Sequence, residues 1–107
     1  MIVAGLDVDP SCSRVGADGS WVDLTKTEFA FLLTVLKAAP AVVSTRDLMH
    51  SVWGWAPRGS SSAPHAYASR VRGKLRSIGV ADRWVCVRGV GYRFRPLAGE
   101  AWLRLDQ

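Results

Sequence analysis

Acidic residues are missing from one long stretch of this chain: between Ser62 and Val80 there is neither aspartate nor glutamate. Long apolar runs are missing too, since none approaches the roughly 18 residues of a membrane span. Met1 to Pro10 hold two aspartates and no basic residue, so this segment is not expected to be a secretory signal peptide. Cysteine is down to two, Cys12 and Cys86, so there is no disulfide framework and a reducing cytoplasm is the expected setting. With His50 and His65 they make four zinc-capable side chains. No C-x-x-C or H-x-x-x-H pair accompanies them, and no metal is expected. Ten glycines and five prolines are too few for a low-complexity chain. No nucleophile–base pair or carboxylate pair stands out, so neither an enzyme nor a cofactor is expected. At 107 residues the chain is one domain's worth of sequence, long enough to bury about two thirds of its unfolded surface.

What the chain does have is positive charge, unevenly placed. The net charge is +5. Residues 1–40 hold three basic and five acidic residues, and residues 41–107 hold eleven basic and four acidic. Between residues 58 and 95 there are nine basic residues and one acid, Asp82. A basic half points to a polyanion partner, or to an ordinary solvated basic face. Charge alone weighs these two readings equally.

Local patterns place the elements. Residues 2–9 alternate loosely and stop at Pro10, which predicts one strand. Residues 14–24 carry an Asp18-Gly19 step between two β-prone runs, the signal of a tight hairpin. Thr25-Lys26-Thr27-Glu28 is a capping box, which starts a helix that Pro40 ends. Phe29, Leu32, Leu33 and Leu36 form one apolar stripe on that helix, and Phe31 and Val35 a second. A helix apolar on two sides is expected to be sandwiched. Ser44-Thr45-Arg46-Asp47 caps a second helix with Leu48, Val52 and Trp53 on its apolar face, ending at Gly54. Residues 55–62 read as a loop. A third helix runs from about Ser62, with Pro64 tolerated in its first turn, to about Ile78 before Gly79. Trp84 to Arg88 and Tyr92 to Arg95 read as a hairpin around Gly89-Val90-Gly91, closed by Pro96. The fold class is α+β: an N-terminal antiparallel sheet, three helices and a C-terminal hairpin.

The third helix carries the functional signal. At 100° per residue, Pro64, Ala68, Val71, Leu75 and Ile78 make the buried stripe. The opposite side holds Ser62, Ala66, Ser69, Arg70, Gly73 and Ser77, with Arg72 and Arg76 on one flank and Lys74 on the other. An ordinary solvated helix mixes glutamate with lysine for i,i+4 pairs. Small residues flanked by cations instead suit a helix seated in a DNA groove, with phosphates on either side. The hairpin repeats the theme with Arg88, Arg93 and Arg95 around its glycines. An arginine at a β-tip can enter a minor groove. Gly89-Val90-Gly91 lacks the following helix and the lysine of a phosphate loop.

At this point a family resemblance enters. Leu24-Thr25-x-x-Glu28-Phe29-x-Phe31-Leu32, Val52-Trp53-Gly54, Arg70-Val71-Arg72-x-Lys74-Leu75 and Val87-Arg88-Gly89-Val90-Gly91-Tyr92-Arg93-Phe94 resemble the winged-helix effector domain of OmpR/PhoB-type response regulators, over about residues 3–96. The resemblance implies a winged helix-turn-helix with four opening strands, where the residue pattern alone counts three. It also implies sequence-specific binding of double-stranded DNA in transcription regulation. The third helix, about 62–78, would lie in the major groove and the wing, 84–95, in the minor groove. Carried over, the recognition positions are Ala63, Ala66, Tyr67, Ser69, Arg70 and Arg72. Lys74 and Arg93 are added as neighbouring cations, and Arg88 is the wing arginine.

The chain departs from the family pattern in three places. Arg46 lies one position later than the family's cap arginine. Pro64-His65-Ala66-Tyr67 replaces the usual Val-Asp-Val-His, so no sequence preference carries over. No receiver domain is read in these residues, so either a fragment or a stand-alone winged helix is expected, with DNA binding that needs no phosphorylation. The expected division is a DNA-binding domain over 1–96 and a tail over 97–107. Trp102, Leu103 and Leu105 of the tail are expected to pack on their own domain. Docking on a second copy is the alternative, giving a homodimer on DNA. The remaining expectations are cytoplasmic, nucleoid-associated placement without a membrane, and RNA polymerase as a second partner through the 55–62 loop. The rival functions are an architectural or recombination accessory protein, and a winged helix that binds only protein.

Overall fold

The computed structural model describes residues 1–54 and 63–97. Residues 2–9, expected as one strand, fold back on themselves. β1 (Ile2–Val3) pairs antiparallel with β2 (Leu6–Asp9) across Ala4 and Gly5, whose φ angles are 53° and 86°. Two positive φ values in a two-residue loop are what a type I′ turn requires. The apolar parity carries the signal. In one continuous strand Val3 would face away from Leu6 and Val8, yet all three pack into the core. A second such turn, Asp18-Gly19 at φ 51° and 82°, joins β3 (Arg14–Ala17) to β4 (Ser20–Asp23) where the sequence predicts it. The first sheet therefore has four strands in the order β1-β2-β3-β4. That is the number the resemblance implies, and it corrects the count of three. Its inner face buries Leu6, Val8, Val15 and Ala17.

α1 (Lys26–Ala38) begins at the expected capping box. Thr25 Oγ1 accepts from the Glu28 N–H at 3.1 Å, and the Glu28 carboxylate accepts from the Thr25 N–H at 2.9 Å. Both apolar stripes are covered: Phe29, Phe31, Leu32, Val35 and Leu36 are buried and Leu33 is half-buried. One core cluster runs from the first sheet through α1 to Leu75 and Phe94. A two-residue strand that the sequence did not announce, β5 (Val43–Ser44), precedes α2 (Thr45–Trp53). Ser44 Oγ caps α2 by accepting from the Asp47 N–H at 3.1 Å. Met49, left off the expected apolar face, is buried beside Leu48, while Val52 and Trp53 are half-buried.

α3 (Ala63–Ser77) buries Pro64, Ala68, Val71 and Leu75, and Ile78 continues the stripe. It ends in a Schellman motif: the Gly79 N–H donates to Arg76 O at 3.0 Å, and the Val80 N–H to Leu75 O at 3.0 Å. A 3-10 turn (Ala81–Arg83) leads into β6 (Trp84–Val87), which pairs with β7 (Gly91–Phe94). β7 also pairs with β5, so the second sheet has the order β5-β7-β6. The Leu97 N–H donates to Ala4 O at 3.0 Å and its side chain packs on the core. The residue with which the tail was expected to begin is thus tied to the first hairpin. The expectations for the 55–62 loop, Ser62, and Trp102, Leu103 and Leu105 of the tail lie outside the described residues. Among the described residues no helix is long and apolar enough to cross a membrane.

Candidate nucleic-acid interface

The basic helix and the hairpin are positioned by one aromatic residue. Phe31 of α1 is fully buried. Its ring lies 6.4 Å from Trp53 of α2, 6.2 Å from Tyr67 of α3, 6.2 Å from Trp84 of β6 and 6.0 Å from Tyr92 of β7. Aromatic pairs at such spacing add to plain burial. Since the four partners sit on four different elements, α1 fixes where α3 stands relative to the hairpin.

The residues that the wheel turns outward from Ala66 to Ser77, namely Ala66, Ser69, Arg70, Arg72, Gly73, Arg76 and Ser77, are exposed, and His65, which the wheel does not assign to that face, is exposed with them. A Cβ at Gly73 would meet nothing, so this glycine serves no internal packing. The two flanks of the face differ. On one, Tyr67 is half-buried between Phe31 and Trp53, and the Arg70 guanidinium lies over its ring, 5.1 Å from the centroid. Lys74 on the same side donates to Asp23 O of β4 at 3.1 Å. On the other flank, His65, Ser69 and Arg72 face the hairpin across a groove completed by Trp84, Cys86 and Tyr92. The groove continues past Thr45, Val87 and Gly89 to Gly91 at the hairpin tip, where it encloses about 210 Å³.

The cations divide into two groups. Lys74 donates to Asp23 O, Arg83 to Pro96 O at 3.3 Å and Arg95 to Asp82 O at 2.8 Å, so these three are engaged with the fold. The ion pair found among the described residues is Arg14–Asp9 at 3.4 Å, on the first sheet. Arg70, Arg72, Arg76, Arg88 and Arg93 therefore lack a carboxylate partner among the described residues. Arg88 is exposed in the tip next to Gly89, whose φ of 75° favours glycine. Arg93 pairs with Val85, while Tyr92 pairs with Cys86. Alternation thus puts Arg93 on the hairpin face turned away from the groove. The Thr45 N–H donates to Val90 O at 3.0 Å and holds the tip against the start of α2.

Of the residues singled out in the sequence, Ala66, Ser69, Arg70 and Arg72 are exposed on α3, and Arg88 is exposed at the hairpin tip between Val87 and Gly89, which line the groove. Tyr67 and Lys74 stand at its edge with partners inside the fold, and the side chain of Ala63 lies outside the described residues. Sequence reading missed His65. Its ring Nδ1 and the Tyr92 hydroxyl share a 3.2 Å hydrogen bond that bridges α3 to β7. The available signal was helical spacing, since His65, Ser69 and Arg72 fall at i, i+4 and i+7. Burial, with the Cys86 thiol as a second cause, pushes the Tyr92 phenol above its ordinary value. The hydroxyl keeps its proton at neutral pH.

Comparisons with known proteins agree with this geometry. Residues 19–94 match the family model described as "Transcriptional regulatory protein, C terminal". Response regulator MprA of Mycobacterium leprae is 38% identical over 96 residues, covering 89% of this chain and 42% of the relative. Transcriptional regulatory protein ResD of Bacillus subtilis is 31% identical over 96 residues, covering 88% of this chain and 40% of the relative. The chain thus spans less than half the length of these curated relatives. Among solved structures, the DNA-binding domain of CpxR from E. coli superposes with a TM-score of 0.75 at 26% identity, covering 91% of this chain and 97% of that one. The Klebsiella pneumoniae RstA DNA-binding domain, solved in complex with the RstA box, gives a TM-score of 0.77 at 25% identity, with the same coverage of 91% and 97%.

Proposed function

Since the chain belongs to the OmpR/PhoB-type family of C-terminal transcriptional regulatory domains, a winged-helix DNA-binding family, we propose that it reads duplex DNA with α3 in the major groove and the β6–β7 hairpin in the adjacent minor groove. The observation that carries this reading is the groove shared by α3 and the hairpin, which puts the acid-free helix face and the glycine tip on one side of the molecule. Arg70 and Ser69 are the base-reading candidates, and Arg72, Arg76 and Arg88 the phosphate and minor-groove candidates. Lys74, hydrogen-bonded to Asp23 O, would have to leave that carbonyl to reach a phosphate. No catalytic step is part of this activity, and its setting is the cytoplasm. The expected 1–96 DNA-binding unit is extended here by Leu97, which is tied to Ala4 and packs on the core, and RNA polymerase and a second copy on DNA are further partners that the family relationship suggests.

The test is selection of bound sequences from random duplex DNA, followed by affinity measurements across salt concentrations. Neutralising Z phosphates gives a slope of log K against log salt near −0.9Z. A protein-only winged helix gives no enriched sequence and no slope. On the selected site, Arg70→Ala should weaken binding by about 1–3 kcal/mol and relax one base position. Stacking on Tyr67 limits where this guanidinium can reach, so its contact should be to one base step. An equal loss on all sequences would make Arg70 a phosphate contact instead. Arg88→Ala should weaken binding most where the flanking DNA is A·T-rich with a narrow minor groove. An unchanged flanking preference would remove Arg88 from the minor groove.

A further inference from the structure

This inference rests on the DNA-binding reading. With a helix in the major groove and a hairpin in the neighbouring minor groove, the sugar–phosphate strand that separates the two grooves crosses the gap between helix and hairpin. In this protein that gap is the groove lined by His65, Ser69 and Arg72 on one side and by Cys86 and Tyr92 on the other. We propose that His65 is a proton-dependent phosphate ligand in this groove: held at Nδ1 by the Tyr92 hydroxyl, its ring takes up a proton as a DNA backbone phosphate docks, so affinity rises as pH falls.

The geometry supports both protonation states of the ring. Tyr92 OH lies 3.2 Å from His65 Nδ1, and the two rings meet edge to face with centroids 6.3 Å apart. A phenol hydroxyl can donate to Nδ1 of the neutral ring or accept from Nδ1–H of the charged one. The ring therefore keeps its orientation through titration, and Nε2–H is a donor in each of these states. What changes is the charge. Tyr92 is 4% exposed and acts as a fixed post, whereas His65 is exposed and open to a ligand.

The surroundings make the charge depend on the ligand. Along α3, His65 is followed by Ser69 and Arg72. β6 contributes Cys86, β7 contributes Tyr92, and the start of α2 contributes Thr45. None of these groove residues is a carboxylate, and Arg72 adds a like charge. In the free protein a charged His65 has no counter-charge there among the described residues. A phosphate supplies one, and binding then stabilises the protonated ring. By linkage, binding takes up a proton, and the association constant increases as pH falls through the range where histidine titrates.

The experiment is anisotropy titration of the selected duplex with the full chain at about pH 8 and about pH 6, each over several salt concentrations. The expected result is affinity about three- to tenfold higher at the lower pH. The log–log salt slope should also steepen by roughly 0.9, the value for one more neutralised phosphate. His65→Gln should bind at the higher pH within about twofold of the parent and lose both the pH effect and the added slope. His65→Lys should bind at the higher pH as the parent does at the lower. His50→Gln, at an exposed histidine in the last turn of α2, should keep the parent's behaviour. A pH effect that survives His65→Gln overturns the proposal. So does a parent whose specific affinity is flat between the two pH values. Absence of specific binding at both pH values would remove the DNA-binding reading itself, and this inference with it.

Discussion

Phe31→Ala is expected to cost about 3–5 kcal/mol of folding stability, the range for truncating a buried phenylalanine. Phe31 is 0% exposed and touches four other aromatic rings. Those rings belong to four elements whose backbones are held by hydrogen bonds of their own. The cavity cannot close by moving any one of them, so relaxation recovers little of the loss. Domains of this size are stable by roughly 5–15 kcal/mol, and the substitution removes a large share of that. It should also loosen the relation between α3 and the hairpin, so specific DNA affinity should fall even where the protein stays folded. Urea denaturation followed by tryptophan fluorescence checks this, because Trp53 and Trp84 border the site. Phe31→Leu, which refills most of the volume, should lose clearly less. A loss below about 1 kcal/mol for Phe31→Ala would show that the aromatic cluster does not hold α3 and the hairpin together.

Gly91→Ala should have the next largest effect, about 3 kcal/mol, at the upper end of the overpacking range. The cause is space rather than backbone angle. A Cβ at Gly91 would collide with the Val43 carbonyl oxygen and lie 2.8 Å from Ser44 Cα. Both are backbone atoms of β5, so no rotamer change relieves the clash. Relief requires β5 to leave β7, which breaks the Val43–Tyr92 and Ser44–Gly91 pairing and strains the Thr45–Val90 bond at the tip. The hairpin would then lose its anchor to the start of α2, and the contribution of Arg88 to binding would shrink. Gly89→Ala is the contrast. There a Cβ meets nothing, but φ is 75°, so the cost should be about 1–2 kcal/mol of backbone strain with the β5 pairing kept. Thermal denaturation orders the two variants. Equal losses would mean that the crowding at Gly91 relaxes more easily than its backbone neighbours suggest.

The sequence by itself determined the parts of this protein whose physics is local. A capping box closes on itself within four residues, so Thr25 and Glu28 announce α1 whatever surrounds them. Asp18-Gly19 supplies the positive φ values of a tight turn within the turn itself. The buried stripe of α3 and the bareness of its opposite face follow from helical spacing, and the absence of carboxylates from that face is plain in the residue order. The Ala4-Gly5 turn was equally local but was masked by the loose alternation around it, and only the switched parity of Val3 against Leu6 exposes it.

Tertiary structure alone decided which side chains on the basic helix are committed and which are available. Lys74 and Arg70 look alike in the sequence as cations on the outward half of α3. Lys74 meets a carbonyl 51 residues earlier in the chain, while Arg70 rests on Tyr67 and has no carboxylate partner among the described residues. The His65–Tyr92 bond spans 27 residues, and the two-residue strand β5 exists because β7 offers it an edge. Such contacts depend on how separate elements are placed, and that placement is set by shared burial around Phe31. Periodicity within one element shows which face is buried, but it carries no information about which neighbour will lie against that face.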